Sequence, residues 1–145
     1  MKTVKNSLLC LLCVYSFWAC AQEKKLTSPD GNVSASIFSD KQQSLAYKVD
    51  FRGNTVIGKS MLGIVVDGDT LGKEISIKEV KKEEINESYT TRGFHSKAVN
   101  HCYQYTYEVE SKAGKFILQT RIYNDGFAFR YIISGKNIRK VNGEL

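Results

Sequence analysis

Apolar and polar positions alternate along most of this chain. Val33, Ala35 and Ile37 alternate with Ser34, Ser36 and Phe38, and Leu45, Tyr47, Val49 and Phe51 alternate with Ala46, Lys48 and Asp50. A period of two predicts strands with one buried face. Arg52-Gly53-Asn54 breaks the pattern before Thr55-Val56-Ile57, as a hairpin turn would. An apolar run from Met61 to Val66 ends at Asp67-Gly68-Asp69, where Asp-Gly suits a turn whose two central residues need positive φ. Ile75, Ile77 and Val80 form another alternating set. In the last third, Cys102, Gln104, Thr106 and Glu108 alternate with Tyr103, Tyr105, Tyr107 and Val109. Ser111 to Lys115 makes a turn, Phe116 to Tyr123 a strand, Asn124-Asp125-Gly126 a turn, and Phe127 to Ile133 a strand.

Two stretches resist this scheme. Lys81 to Ser88 admits a helix, but a solvated loop or strand end is preferred for such a charge run. Tyr89 to Asn100 is polar and without period. The rest predicts about eight short strands with turn signals every eight to twelve residues. That spacing indicates an all-β, antiparallel β-sandwich and argues against βαβ units. No internal repeat, linker or low-complexity segment divides it.

Composition changes the picture once the N-terminus is read. The chain of 145 residues has 21 Lys+Arg against 15 Asp+Glu, a net charge of +6, and four Cys. Lys2 and Lys5 precede an uncharged run from Leu8 to Trp18, followed by Ala19-Cys20-Ala21. That run is shorter than the roughly 20 residues of a membrane span and fits a secretory signal peptide over residues 1–21. The domain then covers residues 22–145, and the expected location is the periplasm. A competing reading makes Cys20 the acylated residue of an outer-membrane lipoprotein, although Trp18 is bulky for that motif. Removing the segment takes away two lysines and lowers the charge from +6 to +4. It also removes Cys10, Cys13 and Cys20, leaving Cys102 alone, too few for an internal disulfide or a cysteine zinc site. Scattered lysines without a basic stripe argue against nucleic acid.

Candidate chemistry is sparse. His95 and His101 form no metal signature, and His101 and Cys102, adjacent in a strand, point to opposite faces. No phosphate loop, Gly-x-Ser-x-Gly elbow or Cys-x-x-Cys pair occurs. Tyr103, Tyr105 and Tyr107 share one strand face, as a platform for sugar rings, a domain contact or a core face with each hydroxyl reaching the edge. Asn124-Asp125-Gly126 forms the sharpest local motif: Asn and Asp bond their own backbone and Gly supplies a left-handed conformation. Arg130 lies among the aromatics Phe127, Phe129 and Tyr131, with Asp125 as the expected bidentate partner.

Lys25-Leu26-Thr27-Ser28-Pro29-Asp30-Gly31-Asn32 and Arg121-Ile122-Tyr123-Asn124-Asp125-Gly126-Phe127-Ala128-Phe129-Arg130-Tyr131, at their spacing, resemble the N-terminal domain of glycoside hydrolase family 97. The resemblance covers nearly all of residues 25–133. It implies part of a larger β-super-sandwich packed against a catalytic (β/α)₈ barrel, in an exported α-glucosidase or α-galactosidase that depends on calcium. The paired catalytic carboxylates belong to that barrel. The resemblance places no catalytic or metal residue in this chain and leaves Asn124, Asp125, Gly126 and Arg130 as structural positions. About 250 residues make a barrel, more than the 145 here can hold. A C-terminally truncated domain, inactive alone and without a cofactor of its own, is therefore expected. An α-linked oligosaccharide remains a candidate partner. The alternative is a stand-alone carbohydrate-binding or structural β-sandwich module.

Overall fold

The computed structural model describes residues 23–92, 96–135 and 137–145. The segment read as a signal peptide, and His95, lie outside the described residues.

Among the described residues, eleven strands form three antiparallel sheets. Strands β1 (Lys24–Thr27), β2 (Val33–Ser39), β3 (Leu45–Phe51) and β4 (Asn54–Met61) pair in sequence order. Strands β7 (Ser76–Thr90), β8 (Lys97–Ser111), β9 (Gly114–Tyr123) and β10 (Phe127–Ile132) make a second sheet in the order β10-β9-β8-β7. Strands β5 (Ile64–Val66), β6 (Asp69–Leu71) and β11 (Val141–Glu144) form a small third sheet. No described residue lies in a helix.

The alternating sets supply the core. Val33, Ala35 and Ile37 on β2 are all buried, and so are Tyr105, Tyr107 and Val109 on β8 and Phe116, Leu118 and Ile122 on β9. They join Leu26, Leu45 and Val49 in one cluster, so the first two sheets face each other across it. The Tyr47 ring of β3 stacks on Phe127 of β10 at 5.7 Å between centroids and meets Phe129 at the same separation. Each such pair adds about 0.5–1.5 kcal/mol beyond its buried area.

The turns follow the local chemistry closely. Asp67 and Gly68, between β5 and β6, have φ of 54° and 90° as Asp-Gly requires. Arg52 and Gly53 do the same between β3 and β4, at 49° and 81°, and Asn54 already belongs to β4.

The charged stretch differs from its expected form. Lys81 to Ser88 is not a helix or a loop, nor a strand end, but the middle of β7, a strand of 15 residues. An edge strand is half solvated, so charged side chains on it need no apolar alternation, and they discourage pairing with other chains. Here they find partners on β8 instead. Lys82 lies over the Tyr103 and Tyr105 rings at 4.8 and 5.3 Å, Glu83 accepts from Gln104, and Glu84 pairs with His101. Likewise Tyr89-Thr90 and Lys97 to Asn100 are strand residues, paired Tyr89 with Ala98 and Thr90 with Lys97. Two strands of 15 residues thus extend well beyond the two alternating sets read from the sequence.

Candidate functional site

The two motif stretches meet in space. Ser28 to Asn32 forms the loop between β1 and β2, and Asn124 to Gly126 forms the turn between β9 and β10. The backbone N–H of Asp30 donates to Asn124 Oδ1 at 3.1 Å, bridging the two large sheets. Within the loop, Ser28 Oγ donates to Asp30 Oδ1 at 2.6 Å, while the Asn32 backbone and side-chain amides donate to Oδ1 and Oδ2. The Val33 N–H in turn donates to Ser28 Oγ. The Ser28 hydroxyl and the Asn32 amides hold the Asp30 carboxyl below its ordinary range.

The turn at Asn124 departs from expectation in two ways. Gly126 is not in a left-handed conformation, and a side chain added there would meet nothing within 4 Å. Tyr123 N–H closes the turn on the Gly126 carbonyl at 2.8 Å with ordinary φ values throughout. Nothing in the structure explains why this residue is glycine. Asp125 is also not the partner of Arg130. The Arg130 Nε–H donates to Gln119 Oε1 at 2.7 Å, its directly paired residue on β9. The reason is the strand itself: at about 3.3 Å per residue, Arg130 stands more than 10 Å along β10 from the turn.

The tyrosine row faces inward. Tyr107 is fully buried and Tyr105 is 4% exposed, with their rings parallel at 6.4 Å. Tyr103 is half-buried under the Lys82 ammonium. The row therefore packs toward the facing sheet, and a sugar ring has no approach to Tyr105 or Tyr107. The Tyr107 hydroxyl does not reach the edge, since it is enclosed with no hydrogen-bond partner among the described residues, as is the Thr120 hydroxyl. Burial pushes the Tyr107 phenol strongly upward. Tyr131 is better placed: its hydroxyl accepts from Gly63 N–H at 3.0 Å, and burial raises its pKa to about 12.

The opposite face of the β8–β10 sheet carries a polar ladder. Glu83, Gln104 and Arg121 stand side by side on β7, β8 and β9, and Thr106, Gln119 and Arg130 on β8, β9 and β10. Gln104 Nε2 donates to Glu83, and Gln104 Oε1 accepts from Arg121 Nε at 2.8 Å. Beside this ladder lies a shallow hollow of about 190 Å³, lined by Gln119, Arg121, Tyr123, Ala128, Phe129 and Arg130. Of these residues, the sequence points only to Arg130. The signal that could have found the hollow is the second phase of the same alternation, with polar Gln104 and Thr106 answering Gln119 and Arg121.

Cys102 is fully buried and free, and His101 lies on the other face beside Glu84 at 3.0 Å. Among the described residues no three His, Cys, Asp or Glu side chains converge in a way that could hold a metal ion. None is assigned to calcium.

A family model described as Glycosyl-hydrolase 97 N-terminal matches residues 26–145. A retaining alpha-galactosidase of Bacteroides thetaiotaomicron is 26% identical over the whole chain, which spans 21% of that enzyme. A glycoside hydrolase family 97 enzyme of Pseudoalteromonas sp. strain K8, solved in complex with acarbose, superposes with a TM-score of 0.73 at 25% identity. The match covers 84% of this chain and 20% of that one. A beta-arabinopyranosidase shares the fold, with a TM-score of 0.75 at 23% identity over 85% of this chain and 20% of its own. The chain thus spans about a fifth of the length of these relatives.

Proposed function

The chain belongs to the glycosyl-hydrolase 97 N-terminal family, and from that premise we propose that it is the non-catalytic β-sandwich that accompanies the catalytic barrel of an exported α-glycosidase. The carrying observation is the match over residues 26–145 to an N-terminal domain, in relatives about five times as long. In this reading a (β/α)₈ barrel outside these 145 residues hydrolyses α-glucosides or α-galactosides. Its paired carboxylates act as general acid and as base or nucleophile, and calcium is bound mainly there, with one glutamate of the N-terminal domain from beyond these 145 residues. An α-linked oligosaccharide is a ligand of the parent enzyme. Residues 1–21 direct export to the periplasm and are removed, leaving the domain at 22–145.

The geometry supports an accessory role. The Asn124 side chain and the Asp30 backbone hold one sheet to the other, the Asp30 carboxylate holds its own loop, and Tyr105 and Tyr107 fill the core. The stand-alone sugar-binding alternative leaned on that row and gains nothing from its placement.

Purified chain should release no aryl alcohol from aryl α-glucosides or α-galactosides above a blank. Turnover that survives further purification would sink the non-catalytic reading. Mass spectrometry of the N-terminus checks the export reading: Gln22 as first residue supports it, and an acylated Cys20 replaces it with a lipoprotein.

A further inference from the structure

We propose that the hollow on the outer face of β9 and β10 is a binding site for a carboxylate-bearing sugar, a uronic acid residue. The hollow exists because Ala128 is small. It stands directly across from Arg121, while Gln119 and Arg130 form the next pair along the same two strands and Tyr123 closes the other end. Arg121 and Arg130 are therefore diagonal neighbours on one sheet face, a relation that places side-chain roots about 7–8 Å apart.

Each guanidinium is oriented by a glutamine and left without a counter-charge. Arg121 donates its Nε–H to Gln104 Oε1 and Arg130 its Nε–H to Gln119 Oε1, at 2.8 and 2.7 Å. That leaves the terminal Nη groups of both, which are the donors that fork onto a carboxylate. Neither arginine has an ion-pair partner among the described residues, although other lysine and arginine side chains of the molecule do pair with carboxylates. Two like charges on one sheet face repel each other, and an anion between them relieves that repulsion. Tyr123 adds an aromatic wall and Gln119 an amide, the groups that meet the C–H and hydroxyl faces of a pyranose. A pocket of this size on a strand face suits one ring. A peptide would run along the open edge of β10 through its backbone and would need no such hollow.

The site is built from this chain's own residues, so its test is separate from the activity assay. Chemical-shift titration of the 145-residue chain with methyl galacturonoside, methyl galactoside, acetate and an acidic hexapeptide separates the sources. The uronoside should move the signals of Arg121, Tyr123 and Arg130, with an affinity about tenfold or more above that for the galactoside or acetate. Arg130→Gln, and Ala128→Leu to fill the hollow, should each weaken it about tenfold while circular dichroism stays unchanged. Ala128 and Arg130 are both exposed, so neither variant threatens the fold. Absence of shifts at these residues would overturn the proposal. So would an equal response to galactoside or acetate, or a tighter response to the peptide.

Discussion

At the residue scale, the informative position is Tyr107. Its ring fills the core, yet its hydroxyl is enclosed without a partner among the described residues. An enclosed, unsatisfied hydroxyl costs about 1–3 kcal/mol. Tyr107→Phe should therefore keep or raise stability, by about 1 kcal/mol in urea unfolding. A clear loss would mean that the hydroxyl has a bound partner such as a water. The sequence placed this ring on a strand face but gave no means of telling the inner face from the outer one. Both phases of β8 carry side chains able to pack, Tyr105, Tyr107 and Val109 on one and Cys102 and Gln104 on the other, and all five are buried. Arg130 shows the same limit. Its chemistry was legible and its partner was not, because pairing with Gln119 depends on strand register.

At the element scale, turns were the most readable features, since a few residues settle their backbone. Asp67-Gly68 needs no tertiary help. Gly72 is different. Its φ is 108°, and a Cβ there would lie 2.7 Å from the Leu62 carbonyl oxygen, where β6 leaves the small sheet. Gly72→Ala should destabilise the chain by more than about 1 kcal/mol. Gly58→Ala is the control, with nothing within 4 Å and no left-handed φ. Thermal melts of the two variants check this, and equal melting temperatures would refute the crowding argument. The length of β7 escaped the periodicity because β7 lies at an edge. An edge strand has no second neighbour to demand alternation, so its polar residues read as loop.

At the scale of the whole molecule, three loop aspartates order the connections between strands. Asp30 belongs to the loop that meets Asn124, Asp40 accepts from the Ser44 and Gln42 N–H groups and Lys59, and Asp67 holds Lys140 N–H and Arg139. The Ser28 hydroxyl lowers the Asp30 carboxyl, the Ser44 N–H that of Asp40 and the Lys140 N–H that of Asp67. Each folded carboxylate thus gives up its proton more readily than in the unfolded chain. In acid the unfolded chain binds more protons, so this stability is complete above the ordinary aspartate value of 3.8 and drains as pH falls through the lower folded values. Unfolding followed from pH 6 to pH 2 should turn steep below about pH 4. Asp30→Asn should shallow that slope, and an unchanged slope would refute the contribution of this loop.

By itself the sequence determined the all-β class, the inner face of β2, several turn conformations and the family resemblance. Alternation and turn chemistry are local, so neighbouring residues carry them. Only the tertiary structure decided that the loop at Asp30 and the turn at Asn124 touch across 94 positions of chain. It alone showed that the tyrosine row turns inward and that Arg121 and Arg130 share an outer face around Ala128. Those facts depend on which strands become neighbours and in what register, and a one-residue shift would send every side chain to the other face.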